Sequence, residues 1–493
     1  MHVQLGAWGD RLGVTVSAPS DVLRWPLVGR FLRWRHARRS LQLGLLFVAI
    51  VLVLHGLFGP QVAPANFATV LSWVQYRGWL VVALLAAGNF FCTGCPFVLV
   101  RDAGRRLRTP SRRWPRWLRV KWIGIALFVA VLFTYELYDL WALPRATAWL
   151  ALGYFAAALT IDLLFTGASF CKYLCPIGQF SFVASTMSPL ELQVKQPDTC
   201  RTCRTVDCIR GRRDQAVPSR VVRRGCELAL FLPAKTGNLD CTFCLDCVQA
   251  CPHDNIAMAM RVPGLELVDP RRRSGIGWLP RRRDVAVLAV VFVFGGLINA
   301  LGMTAPARAI EQWLAELVGA QSEGPVLAGL FLIVLVVIPL VLMTGAAALT
   351  ALISGRPISS TLDIASGYSY ALIPLGFGVW LAHYGFHWLT GLLTVIPVAQ
   401  AAVMDLLGWA AVGTPLWQLT GMRPGLVFPL EVGVILVGAS GSLALCYLIS
   451  ERDHAERKVA ATIPWALVTV IVAIAALWIT SQPMDMRAVA FPG

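Results

Sequence analysis

The sequence predicts an all-α polytopic membrane protein of about nine transmembrane helices, with a small α+β domain inserted near its middle. Three observations carry this. Of 493 residues, 57% are hydrophobic and only 14% are charged, against roughly 25% charged in soluble globular proteins. The apolar residues gather into runs long enough to cross the hydrocarbon core of a bilayer. The one long polar interruption, residues 176–284, holds most of the 13 cysteines.

Taken in order, residues 1–40 are polar and then Arg-rich, with no apolar run before Leu41, so no cleavable signal peptide is expected. Residues 25–39 mix Arg with Trp, Phe and Leu. Two readings stay open for them: an interfacial amphipathic helix and a basic juxtamembrane tail. The first span is 41–59. A second, shorter one led by 78–91 ends in Cys92-Thr-Gly-Cys95-Pro96. After a basic loop, 122–138 and 149–165 are spans three and four, and the fourth ends in Cys171-Lys-Tyr-Leu-Cys175-Pro176. Spans five and six are 285–301 and 326–349. The stretch 370–405 is too long for one span and reads as a span plus a re-entrant or interfacial piece, with breaks at Gly391 and Pro397. Residues 431–449 and 463–479 complete the membrane part. The expected division is a basic segment 1–40, a four-helix membrane domain 41–175, a polar domain 176–284, and a C-terminal membrane domain 285–493.

The net charge of +16 would suit a nucleic-acid binder, but the basic residues sit beside membrane spans. Orientation and anionic lipid explain them better, and no nucleic-acid partner is expected. If the N-terminus is cytoplasmic, only Arg77, Arg145, Arg308, Arg423 and Arg487 of the 43 Lys and Arg residues fall on the far side. That asymmetry places the polar domain and the ends of spans two and four in the cytoplasm.

The polar domain carries Cys241-Thr-Phe-Cys244-Leu-Asp-Cys247-Val-Gln-Ala-Cys251-Pro252. This is C-x2-C-x2-C-x3-C-P, the spacing with which bacterial ferredoxins hold a [4Fe–4S] cluster; the fourth Cys ligates the other cluster of a pair. Zinc sites more often pair two C-x2-C units at longer separation. Upstream stand Cys200, Cys203 and Cys208, followed by a lone Cys226. The gap before the third Cys is stretched and the fourth Cys displaced, without a Pro. By the same crossover, Cys200, Cys203, Cys208 and Cys251 would hold one cluster, and Cys226, Cys241, Cys244 and Cys247 the other. A decayed first half is the alternative. A two-cluster ferredoxin-like domain is therefore expected. Its arginines (Arg201, Arg204, Arg210, Arg212, Arg213, Arg220, Arg223, Arg224) would raise cluster potentials and offer a face to an acidic partner, or anchor lipid headgroups.

The Cys92/Cys95 and Cys171/Cys175 pairs end spans on one side. Pro after the second Cys suits the first position of a following helix, whose free amides would face the sulfurs. A third [4Fe–4S] cluster, a redox-active disulfide and a four-thiolate zinc site are the competing readings.

With these motifs in view, the chain resembles the NapH/NosR/CcoG group of membrane polyferredoxins over roughly residues 40–300. The resemblance rests on Cys171-Lys-Tyr-Leu-Cys175-Pro176-Ile-Gly, the Cys-Pro pair near Cys92, and the cysteine array after them. It implies Cys-Pro motifs on transmembrane helices, a cytoplasmic pair of clusters, and a bacterial inner membrane. It also implies electron passage between the quinone pool and reductase or maturation systems. The chain departs from it in a C-x2-C-P first pair, in the absence of a flavin-binding domain before span one, and in its last five spans.

Ionisable residues inside a membrane are functional candidates. His55, Glu136, His383 and His387 are the candidates for a quinol site, where histidine and carboxylate take the hydroxyl protons, with Tyr135 and Asp139 beside Glu136. A b-haem with His55 opposite His383 or His387, and interfacial histidines facing headgroups among Trp380, Tyr384 and Trp388, are the competing readings. Asp162, Asp363, Asp405 and Glu431 read as isolated, and Cys446 as a buried packing thiol. The expected function is a quinol-linked electron relay to a partner redox protein. An accessory protein that reduces copper or thiols, or senses redox state, is the alternative.

Overall fold

The computed structural model describes residues 21–214, 216, 221–409 and 412–483. Residues 1–20, Arg220 and Arg487 lie outside them. The described chain is mostly helical. Ten longer helices organise it: α1 Ala37–Phe58, α2 Phe67–Ala87, α3 Trp122–Leu137, α4 Pro144–Leu164, α5 Arg283–Leu301, α6 Glu323–Ser354, α7 Ile358–Thr390, α8 Val395–Leu407, α9 Pro424–Asp453 and α10 Ala455–Ser481. Eight of them are long and apolar enough to cross a membrane; α3 and α8 are shorter.

About nine were expected; the third expected span, 122–138, is the shorter α3. Its 16 residues reach only about 24 Å at 1.5 Å per residue, yet it runs from one face of the bundle to the other. At its start Lys121 Nζ donates to Asp240 Oδ1 (2.7 Å), and at its end Glu136 Oε1 accepts from Asn299 Nδ2 (3.0 Å). The 370–405 reading needs two adjustments. The helix begins at Ile358, because 358–369 is polar enough to escape a hydropathy reading yet is buried from Ile364 on. Gly391 does end α7, but Pro397 sits in the first turn of α8, where a missing N–H costs nothing.

Burial sorts the helices. In α5 and α7, 89% of the apolar window is buried, against 22% in α1 and α4, so α5 and α7 form the centre and α1 and α4 the lipid-facing flank. At the centre, Trp380 donates from Nε1 to Phe292 O (2.7 Å) and packs against Phe128, Phe180, Phe292 and Tyr384. Glycines bring the backbones together. A Cβ at Gly376 would lie 2.7 Å from Val293 Cγ2, and one at Gly438 2.6 Å from Pro374 O. Small residues at such crossings are how membrane helices gain contact.

One face of the bundle carries the polar segment. Arg38 at the start of α1 bonds Asp246 Oδ2 (2.8 Å), Asn89 beyond α2 donates to Cys241 O (3.0 Å), and Arg452 at the end of α9 donates to Val268 O (2.7 Å). The segment itself is short helices and two two-stranded ladders. Leu190–Val194 pairs antiparallel with Ile256–Met260, Leu190 opposite Met260, and Arg212–Arg213 pairs with Val221–Arg223. The stretch 22–34 leans on the first ladder: Asp21 Oδ1 accepts from Met258 N (3.1 Å) and Leu23 and Leu32 are buried, while Trp25, Leu27, Phe31 and Trp34 are exposed. That apolar exposure fits the interfacial reading better than a plain basic tail.

Candidate functional site

The two halves of the cysteine array share one backbone device. Leu245 adopts a left-handed conformation (φ 61°) two residues before Cys247, and starts the helix Asp246–Ala250. Val206 does the same (φ 51°) two residues before Cys208, starting Asp207–Arg210. An Asp precedes the third Cys in each half. The stretched spacing is thus two residues, Arg204 and Thr205, inserted ahead of an otherwise matching turn. The displaced fourth Cys is also placed by matching contacts. Cys226 N donates to Cys208 O (2.8 Å), and Leu230 N donates to Cys226 Sγ (3.4 Å). In the other half Cys251 N donates to Cys247 O (3.1 Å), and Asn255 N to Cys251 Sγ (3.5 Å).

The sulfurs fall into two neighbourhoods. Cys200, Cys203, Cys208 and Cys251 line one cavity, together with Asp207, Leu232, Pro252 and Asn255. Burial and the neighbouring Cys251, Cys200 and Cys203 push the Cys208 thiol up to about 11. Cys203, at the rim, is held below the usual thiol range chiefly by the Val206 amide. Cys226 faces the other three: burial pushes its thiol up to about 11, with Cys241 adding to the rise. Cys247 is raised by burial and then by Cys226 and Cys241, and Cys244 likewise feels Cys226. Cys241, Cys244 and Cys247 are buried, whereas Cys200, Cys203 and Cys208 are part-exposed. Among the described residues, no three His, Cys, Asp or Glu side chains converge as a site for a single metal ion. Four thiols spread round a cavity, several with an N–H donor on sulfur, fit a larger group better.

Both Cys-Pro motifs form the expected helix starts. Pro96 opens Pro96–Leu107 with Cys95 as its cap, and Pro176 opens Pro176–Ala184 with Cys175 as its cap. Cys175 Sγ accepts from Gly178 N (3.2 Å), and Cys95 Sγ from the Phe97 and Val98 amides. Cys92 lies beside Cys95 and Cys175, and Cys171 beside Cys175 and Cys95, so the four thiols converge.

A buried charge network that sequence reasoning missed joins this quartet to the array. Glu227 Oε1 bonds Arg101 Nη2 (2.8 Å) and Arg38 Nη1 (2.9 Å), and Arg38 also bonds Asp246. Burial would raise the Glu227 carboxyl, but Arg101 and Arg38 hold it well below the usual range. Burial pushes Asp246 up to about 6 against the pull of Arg38. Both arginines also act on Cys95, and Arg38 on Cys244, which places them between the two thiol groups. Asp162 is not isolated: Oδ1 accepts from Phe170 N (2.9 Å) just ahead of Cys171, and Arg101 lies 3.7 Å away. No local pattern flags these partners, which stand up to about 200 positions apart in sequence.

On the opposite face, the quinol-site candidates separate. His383 and His387 stack edge to face at 5.0 Å, and His387 Nε2 meets Met303 Sδ at 3.0 Å. Arg77 of α2 lies over the rings of Trp73, Tyr135 and Tyr384 at 4.5, 4.3 and 4.9 Å, near Glu136. His55 is elsewhere engaged. Its Nδ1 accepts from Phe67 N and its Nε2 meets Asp405 Oδ2, both at 2.9 Å, so Asp405 is not isolated and neither ring nitrogen is left for a haem iron. Asp363 is a surface partner of Arg283 (3.4 Å). Cys446 is fully buried with Sγ 3.8 Å from Thr469 Oγ1.

The fold and thiols define a polytopic helical membrane protein bearing cysteine sets of ferredoxin type on one face. No protein-family profile and no solved structure matches the chain. Among curated proteins, it is 24% identical over 261 residues to the "Putative electron transport protein YccM" of Escherichia coli strain K12, covering 48% of this chain and 66% of that protein. It is 28% identical over 207 residues to the methylamine utilization ferredoxin-type protein MauN of Methylobacillus flagellatus, covering 38% of this chain and 68% of that protein. The chain thus spans just under two thirds of the first relative's length.

Proposed function

We propose that this chain is a membrane-bound electron-transfer protein that relays electrons between quinol and a partner redox protein, the cysteine-bearing face lying in the cytoplasm. The observation that carries the reading is the interlacing of the array: each set of four thiols takes its last member from the other half of the segment. Cys200, Cys203, Cys208 and Cys251 would hold one [4Fe–4S] cluster, Cys226, Cys241, Cys244 and Cys247 a second, and Cys92, Cys95, Cys171 and Cys175 a third. Bound clusters supply one-electron chemistry. The chain's own residues do the rest. The amides of Gly178, Leu230 and Asn255 donate to sulfur, which stabilises negative charge there. Arg38 and Arg101 add positive charge between the thiol groups.

Quinol would bind beside Arg77, His383, His387 and Glu136, where histidine and carboxylate can accept its protons. Tyr76, next to Arg77 in α2, faces Cys92, Cys95 and Cys175 and packs on Phe91 at 5.0 Å, which supports a short path from that site to the Cys-Pro thiols. The part-exposed rim at Cys203 supports exit to a partner there. The test is anaerobic purification with iron and sulfide analysis, followed by EPR during quinol titration. Three cubes require about twelve irons per chain, four to each. Four irons or fewer would overturn the two-cluster array, and clusters that quinol never reduces would overturn the relay.

A further inference from the structure

A second polar site lies behind His383, within the C-terminal helices that the resemblance does not cover. His383 is 3% exposed and neither ring nitrogen has a hydrogen-bond partner. A buried imidazole left so costs free energy unless water or another ligand meets it. The ring borders a small cavity (≈ 10 Å³), at the lower limit for one water. Across it stands Glu431 of α9, 4% exposed, which no hydrogen bond or ion pair reaches among the described residues. α5 and α10 close the space with Leu297, Ala300, Ala476 and Ile479, and the Thr480 hydroxyl is already given to Ala476 O (2.9 Å). His383 and Glu431 are therefore the ionisable groups of the wall. Behind the imidazole stand His387 and the Arg77 guanidinium.

We propose that His383 and Glu431 form a proton-binding site, bridged by a single water and exchanging with the face opposite the cysteines. Two ionisable side chains do not share an apolar helix interior by packing preference, since each prefers water or a partner. Together they solve the problem by holding one proton. With it, the site is a neutral imidazole and a carboxylic acid, or an imidazolium and a carboxylate, each with no net charge. Release sends the proton to solvent and leaves a neutral imidazole beside a carboxylate. Ile479 and Thr480 lie in the last turn of α10, which sets the exit on that face.

The test is pH-difference infrared spectroscopy of the oxidised, detergent-purified protein in H₂O and D₂O, with no donor or acceptor added. Wild type is expected to show a protonated-carboxyl band that titrates between about pH 5 and pH 9 and shifts in D₂O. Glu431→Gln should remove it. His383→Gln should keep the band and move its midpoint by about one pH unit or more. Glu136→Gln should leave it in place. A band unchanged in Glu431→Gln, or no titrating carboxyl band in wild type, overturns the site. His383→Gln is the recourse if Glu431→Gln fails to fold: a midpoint equal to wild type overturns it as well. Because no quinol is present, failure here and failure of the relay are read separately.

Discussion

Replacing Glu227 by Gln removes one negative charge and almost no volume. It leaves two guanidiniums facing a neutral amide: Arg101, whose side chain is 1% exposed, and Arg38, 12% exposed. Breaking a buried ion pair on one side costs about 3–5 kcal/mol. The low end applies, because Arg101 keeps Asp102 (2.9 Å) and Arg38 keeps Asp246 (2.8 Å). About 3 kcal/mol corresponds to a loss on the order of 5 °C or more in apparent Tm, read by fluorescence-detected unfolding in detergent. The sign of the pH dependence follows from the depressed Glu227 carboxyl. Its contribution is present above the ordinary carboxylate range and is lost only as pH falls through the lower folded value. Wild type should therefore hold its margin over Glu227→Gln from neutrality down to about pH 5 and lose it at stronger acidity. Equal melting of the two proteins at neutral pH would refute the assignment of Glu227 as the counter-charge of both arginines.

The remaining expectations concern thiols, amides and the core. Cys226→Ser and Cys251→Ser should each lower iron by about four per chain and alter different EPR signals; no loss in Cys226→Ser would detach it from the array. Asn255 Nδ2 donates to Gln196 O (2.7 Å) and Cys200 Sγ (3.4 Å), and its Oδ1 accepts from Gln196 N (2.9 Å). Asn255→Ala should therefore cost roughly 2–3 kcal/mol and weaken iron retention against a chelator by about tenfold or more. Trp380→Ala should destabilise by about 3–5 kcal/mol without changing iron per folded chain. A fragment of residues 176–284 should fail to give a protease-resistant, iron-binding product, since Asp240 and Glu227 would lose Lys121, Arg38 and Arg101.

The membrane part was legible because hydropathy acts over one helix at a time, although α2 begins at Phe67 where 78 was expected, and α9 and α10 begin at Pro424 and Ala455 where 431 and 463 were expected. The start of α7 was not legible either, since 358–369 owes its burial to neighbours, as when Tyr368 Oη and Ser450 Oγ share a hydrogen bond (2.7 Å). The Cys-Pro helix starts followed from the fixed φ of Pro, a local property. The grouping of Cys226 with Cys241, Cys244 and Cys247 was reachable only through the ferredoxin spacing rule, because its own neighbourhood carries no motif. The roles of Asp162, Asp405 and Glu431 were out of reach. A lone carboxylate in an apolar run announces a cost but not which distant residue meets it: Arg101 for the first, His55 for the second, a cavity shared with His383 for the third.

The cysteine segment is less a separate domain than the polar cap of the bundle. Phe243, between Cys241 and Cys244, is wholly buried, and a Cβ at Gly88 (φ +65°) would lie 2.7 Å from its ring. The glycine at the end of α2 is thus required twice, by its left-handed turn and by the ring pressed on it. Thr93 Oγ1 donates to Phe243 O (2.6 Å) one residue beyond Cys92, so the backbone between two array cysteines hangs from the loop between two Cys-Pro cysteines. Lys121 does the same from α3, through Asp240 and through Lys172 O (2.9 Å) next to Cys171. Each tie joins residues beside different thiol groups, so a displacement of α2 or α3 must move both groups together. Rates of electron passage fall steeply with separation and the separation here is set by short hydrogen bonds. The membrane helices therefore fix the spacing of the thiol groups as well as carrying them.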